Sequence, residues 1–116
     1  MKRTVIAYGN YYSEFVKTLS NKVLLKLKYI LLLLETEDRM PVKFIKYIRG
    51  GLYELRMEYE GNIYRLFFIF DKDCIVVLFN GFQKKTQKTP ESEINKALKI
   101  KEAYYGNKQS HDNKYQ

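Results

Sequence analysis

Leu52-Tyr-Glu-Leu-Arg56-Met-Glu-Tyr-Glu60-Gly61-Asn62-Ile-Tyr-Arg65-Leu-Phe-Phe-Ile-Phe70 decides the fold, because its side chains alternate with a period of two on both sides of one break. Successive residues of a strand point to opposite faces, so such a period predicts two half-buried strands. Gly61-Asn62 puts glycine at the first central position of a two-residue loop, the requirement of a type II′ hairpin turn. With that turn Tyr59 faces Tyr64, Glu58 faces Arg65 and Arg56 faces Phe67. One face then carries Tyr53, Leu55, Met57, Tyr59, Tyr64, Leu66, Phe68 and Phe70, a core face. The other carries Glu54, Arg56, Glu58, Ile63, Arg65, Phe67 and Ile69, with Arg56 and Arg65 as diagonal neighbours.

A third strand, Ile75–Asn80, follows. If Lys72-Asp73 is also a tight turn, Asn80 lies opposite Arg65 and Gly81-Phe82-Gln83-Lys84-Lys85 leaves from the same corner. A longer loop over Asp71 to Cys74 reverses that parity. In the first arrangement two arginines and two lysines converge on one patch. A Glu58–Arg65 cross-strand pair, worth under ~1 kcal/mol if exposed, accounts for neither Arg56 nor Lys84, Lys85 and Lys88. Cations over an aromatic floor suit a single strand of nucleic acid, charges meeting phosphates and rings meeting bases.

Thr4 to Tyr8 reads as a short strand, and Tyr11 to Leu19 has apolar residues at helical spacing. Ser20 caps a second helix from Asn21 to about Thr36, so the two make a helical hairpin. Glu35 to Pro41 is a polar break, Val42 to Ile48 is ambiguous between helix and strand, and Gly50-Gly51 is a stop. Thr89-Pro90-Glu91 starts a last helix, expected to run to about Tyr105 and stop at Gly106. The expectation is an α+β fold of order β-α-α-β-β-β-α. It is a small antiparallel sheet with the N-terminal helical hairpin and the C-terminal helix packed on it. Residues 1–106 form a single domain, and 107–116 are expected to be a disordered polar tail.

The 116 residues are 46% hydrophobic, enough for one modest core. Cys74 is the only cysteine and His111 the only histidine. That leaves no internal disulfide, no usual zinc ligand set and no Ser-His-Asp or Cys-His chemistry. Metal and cofactor are therefore expected to be absent, and any catalysis falls to Lys, Arg, Tyr, Asp or Glu. Lys plus Arg number 21 against 13 Asp plus Glu, a net charge of +8 that favours a polyanionic partner. The start, Met1 to Tyr8, is too short and tyrosine-rich for a signal peptide. Apolar runs such as Ile30–Leu34 fall far below a bilayer span. No membrane role and a cytoplasmic location are expected.

Leu52-Tyr-Glu-Leu-Arg56, Tyr64-Arg65-Leu-Phe-Phe and Leu78-Phe-Asn-Gly-Phe82-Gln-Lys84-Lys85-Thr-Gln-Lys88-Thr-Pro90 together resemble the phage-derived HigB-like branch of the RelE/ParE toxin superfamily. The stretch F-x-K-K-T-x-K-T-P followed by E-I-x-x-A is the most specific part, and the likeness covers roughly residues 2 to 106. The resemblance implies the toxin of a type II toxin–antitoxin pair that cuts mRNA in the ribosomal A site. A cognate helix-turn-helix antitoxin, HigA-like, would silence it. The family's basic catalytic residues would fall on Arg56, Arg65, Lys84 and Lys85, with Lys88, Phe82, Gln83, Phe67 and Glu54 as RNA contacts. Many relatives place a His or Tyr near the C-terminus as acid or base. The one histidine of this chain, His111, lies in the polar tail beyond the stretch that carries the likeness, and Tyr104 and Tyr105 read more simply as core aromatics.

Metal-free RNA cleavage needs a base for the ribose 2′-OH, charge for the phosphorane and a proton for the leaving oxygen. Arg56 and Arg65 suit the second task, being permanently charged and bidentate. Lys84 or Lys85 suits proton transfer if neighbouring cations lower its pKa, and Glu54 or Glu58 is an alternative base. Two other readings are a ParE-like toxin that is not a nuclease and a non-catalytic nucleic-acid-binding module.

Overall fold

The structure, a computed structural model, describes residues 2–39, 41–85 and 88–115, the stretch 108–115 by backbone alone. Five strands form one sheet: β1 Thr4–Ala7, β2 Ile45–Arg49, β3 Leu52–Tyr59, β4 Asn62–Asp71 and β5 Ile75–Lys84. Their spatial order is β1-β5-β4-β3-β2, antiparallel throughout except that β1 runs parallel to β5 at one edge. The helices are α1 Tyr11–Val16, α2 Asn21–Thr36 and α3 Glu91–Tyr115. The expected α+β class is the one found.

Both faces of the sheet are covered. Phe15 of α1 and Val23, Leu27, Ile30 and Leu34 of α2 pack on Leu55, Met57, Leu66, Phe68, Val76 and Leu78. On the opposite face Ile94, Ala97 and Ile100 of α3 pack on Leu52, Phe67, Ile69, Val77 and Phe79. This three-layer arrangement explains why Tyr64 to Ile69 of the central strand is buried without interruption. Ser20 caps α2 as expected, its hydroxyl accepting from the Val23 amide at 3.3 Å.

The sheet has one strand more than the sequence reading expected. Val42–Phe44 forms a 3-10 turn, and Ile45–Arg49 then pairs with β3. Gly50 and Gly51, at φ 60° and 82°, make the two-residue loop between them. Both signs are those of a type I′ turn, whose twist matches that of the flanking strands. Five residues with only two partly buried positions carry too weak a pattern to read alone; pairing with β3 makes them a strand.

The central hairpin turns one residue earlier than expected. Tyr59 pairs with Asn62, so the loop is Glu60-Gly61, at φ 49° and 81°. This is type I′ rather than type II′. Moving a two-residue loop by one position moves the pairing by two, which preserves the faces. Arg56 therefore lies directly opposite Arg65, Glu54 opposite Phe67 and Glu58 opposite Ile63.

Between β4 and β5 the loop has three residues, Lys72-Asp73-Cys74, with Asp71 opposite Ile75. That loop reverses the expected parity, and a bulge reverses it back. Phe68 pairs with Leu78 and Leu66 with Gly81, so Phe79 and Asn80 together oppose Phe67. Arg65 consequently faces Phe82, not Asn80. Beside the bulge Gly81 makes room for α1, since a Cβ there would stand 2.4 Å from the Phe15 ring. The helix ends also differ: α1 stops at Val16, and α3 passes Gly106 to reach Tyr115. A glycine inside a helix costs about 1 kcal/mol relative to alanine, which the helix evidently tolerates.

Candidate functional site

The α3 face of the sheet has an apolar half under the helix and a charged half toward the β3–β4 turn. Four neighbouring strands, β2 to β5, supply the charged half. Arg56 and Arg65 form one cross-strand pair, Ile63 and Lys84 the next, and Lys46 of β2 pairs with Glu54 of β3. Lys46, Glu54, Arg56, Lys84, Lys88 and Thr89 line an open cleft of about 480 Å³. The alternation of three strands and the restored parity of β5 bring these groups to one side.

Glu54 is the anchor. Its side chain is 2% exposed, and its Oε1 lies 3.3 Å from Nε of Arg65, itself 5% exposed, and 3.9 Å from Nε of Arg56. Its Oε2 accepts a hydrogen bond from the Thr89 hydroxyl at 3.0 Å. Arg65 Nη1 donates to the Tyr64 carbonyl at 3.0 Å, whereas Nε makes no aligned hydrogen bond despite its closeness to Glu54. Arg65 is thus oriented by a charge and one carbonyl. Arg56, 45% exposed at the side chain, reaches the cleft from beside it.

Burial pulls the Arg65 pKa below its usual value; Glu54 opposes this and Arg56 adds to it. Burial likewise lowers the Lys84 amine, as do the Arg65, Arg56 and Lys46 cations, with Glu54 opposing. Like charges disfavour another cation nearby, which moves Lys84 toward its neutral form.

The site residues named from sequence divide in two. Arg56, Arg65, Lys84, Lys88 and Glu54 gather here. Lys85, Gln83 and Phe82 line a separate cleft with Asn10, Tyr11 and Lys96. Gln83 donates there to the Asn62 side chain at 3.2 Å. Phe82, paired with Arg65 and packed on the α3-face core, belongs to the site face as well, its ring 5.7 Å from that of Phe67. Phe67 is wholly buried under α3 and forms floor, with no surface for a base. Arg65 takes Glu54 as its ion partner, not Glu58. Tyr104 and Tyr105 pack in the α3 core, and the Tyr104 hydroxyl donates to Asp71 at 2.5 Å, at the far end of β4 from Arg65. Among the described residues no three His, Cys, Asp or Glu side chains group as metal ligands.

Two members of the site escaped the sequence reading. Lys46 lies on the strand that was ambiguous, whose pattern is too weak to read without β3 beside it. Thr89 was read as a helix cap, and no spacing in the sequence connects it to Glu54.

The chain matches the family described as Phage derived protein Gp49-like (DUF891) over residues 14–102. Among solved structures it is similar to a double mutant of the E. coli toxin RelE in the free state, with a TM-score of 0.60 and 21% identity. That alignment covers 85% of this chain and 97% of the other. At that identity the likeness is one of fold. A search of curated proteins by sequence finds no match.

Proposed function

The chain belongs to the phage-derived Gp49-like family, and from that premise we propose that it is the toxin of a type II toxin–antitoxin pair, a ribosome-dependent mRNA endonuclease. The observation that carries the proposal is the strip on which buried Arg65 stands beside Arg56 and Lys84, with one anchored carboxylate, Glu54, behind them. The RelE-like fold agrees with it. A cognate helix-turn-helix antitoxin, HigA-like, is the proposed partner, and the ribosome places the activity in the cytoplasm. No helix among the described residues is long and apolar enough to cross a membrane.

In the proposed reaction the ribose 2′-oxygen forms a bond to the adjacent phosphorus and the bond from phosphorus to the 5′-oxygen breaks. Arg65 and Arg56 bind the phosphate oxygens and stabilise the charge that grows in the phosphorane. Held charges act most strongly where they need not reorganise, and Arg65 is held. Lys84, shifted toward its neutral form, takes the 2′ proton. The open cleft lets water protonate the leaving 5′-oxygen. No metal or cofactor enters this scheme.

Cell-free translation tests it. Wild-type protein should stop synthesis, and Arg65→Ala should need at least about 100-fold more protein for the same effect, the scale of losing one preorganised donor. Equal potency of the two would remove Arg65 from the mechanism.

A further inference from the structure

Arg65, together with the Arg56 that lines the first cleft, lines a second one of about 510 Å³ that Lys84 and Thr89 do not reach. Its remaining walls are Lys26 of α2 and Lys43 and Phe44 of the 3-10 turn, elements that supply nothing to the first cleft, with Met57 and Glu58 of β3. Four cations thus face one carboxylate. Lys43 is exposed, its Nζ 5.5 Å from the centre of the Phe44 ring. Phe44 is half-buried, backed by the α2 core and open to the cleft. Lys26 donates to the Glu58 backbone carbonyl at 2.5 Å, which holds its ammonium at the cleft wall.

A scissile phosphate on Arg56 and Arg65 leaves the rest of the strand to be placed, and a strand through one phosphate site continues on both sides of it. We infer that this second cleft is a subsite for the single-stranded RNA adjoining the scissile phosphate, with Phe44 stacking a base and Lys43 and Lys26 holding the next phosphate. The inference rests on the endonuclease reading given above. A half-buried ring beside ammonium groups is the combination that binds a base and its phosphate together, whereas an ordinary solvated lysine has no ring beside it. The residues that α2 and the 3-10 turn add contribute binding, and the chemistry stays with Arg56, Arg65 and Lys84.

Direct binding tests it apart from cleavage. A fluorescein-labelled single-stranded RNA dodecamer is titrated at several salt concentrations with wild-type protein, Lys43→Ala and Phe44→Ala. Phe44→Ala should weaken binding about tenfold, the scale of one lost stacked base. Lys43→Ala should lower the salt slope by roughly 0.7, that of one lost phosphate contact. Because Phe44 backs onto the core, Lys43→Ala decides the matter if Phe44→Ala does not fold. Lys43→Ala binding with wild-type affinity and slope would overturn the subsite, as would absence of RNA binding by the wild type. If Lys43-dependent binding is found but translated mRNA is not cut, the subsite stands and the endonuclease reading fails.

Discussion

At Arg65 a guanidinium that is 5% exposed sits 3.3 Å from a carboxylate that is 2% exposed. Desolvating two charges costs about as much as their attraction returns, so a buried pair of this kind is weak support for a fold. Removing one partner is another matter, because the other charge is left uncompensated. Glu54→Gln should therefore lower unfolding free energy by about 3 kcal/mol, measurable by urea denaturation. The double change Glu54→Leu with Arg65→Leu should return stability to within about 1 kcal/mol of wild type while leaving no toxin activity. That pattern marks the pair as kept for its chemistry.

Lys84 adds a pH signature. Its pKa lies below the ordinary lysine value, because burial and three neighbouring cations disfavour the ammonium. In the proposed role of base Lys84 would act in its neutral form, whose population grows as pH rises through that lowered pKa. Cleavage should rise with pH and level off at a lower pH than an ordinary lysine would allow. Lys84→Arg, charged throughout, should give a slow rate without this inflection. A wild-type rate that falls over the same range would reassign Lys84 as an acid.

Among the elements, the turns carry the most information and the most error. Gly61 announced a hairpin, and a two-residue loop misplaced by one position still put Arg56 and Arg65 on one face, since the pairing slips by two. Lys84 reached the expected face for a different reason. A three-residue loop reversed the parity of β5 and the bulge at Phe79-Asn80 restored it, and neither event is marked by residues that demand it. Two substitutions test these turns. Glu60 holds φ 49° in the position where type I′ turns prefer Asn; Glu60→Asn should stabilise the protein by about 1 kcal/mol in a thermal melt. Gly81→Ala pushes a methyl group to 2.4 Å from the Phe15 ring and should destabilise it by about 2 kcal/mol, as overpacking does.

Over the whole molecule, +8 and the lack of a second cysteine or histidine pointed to a polyanion and to Arg/Lys chemistry before any register was considered. Strand alternation then located the arginines. What stayed illegible depends on contacts distant in sequence: β2 needs β3 beside it, and Thr89 meets Glu54 only after α3 has docked. The division of the basic loop was equally hidden. Lys84 and Lys85 are neighbours in the chain, yet a strand sends them to opposite faces, so one joins Arg65 and the other lines a different cleft.

The central claim is that this charged strip cuts mRNA on the translating ribosome. Primer extension on a message translated in a cell-free system, with purified wild-type protein and Arg65→Ala, measures it most directly. The account predicts codon-phased cuts with wild-type protein, their loss with Arg65→Ala, and no cuts in the same RNA left untranslated. Arrested synthesis on an intact message, or identical cuts with and without translation, would contradict it.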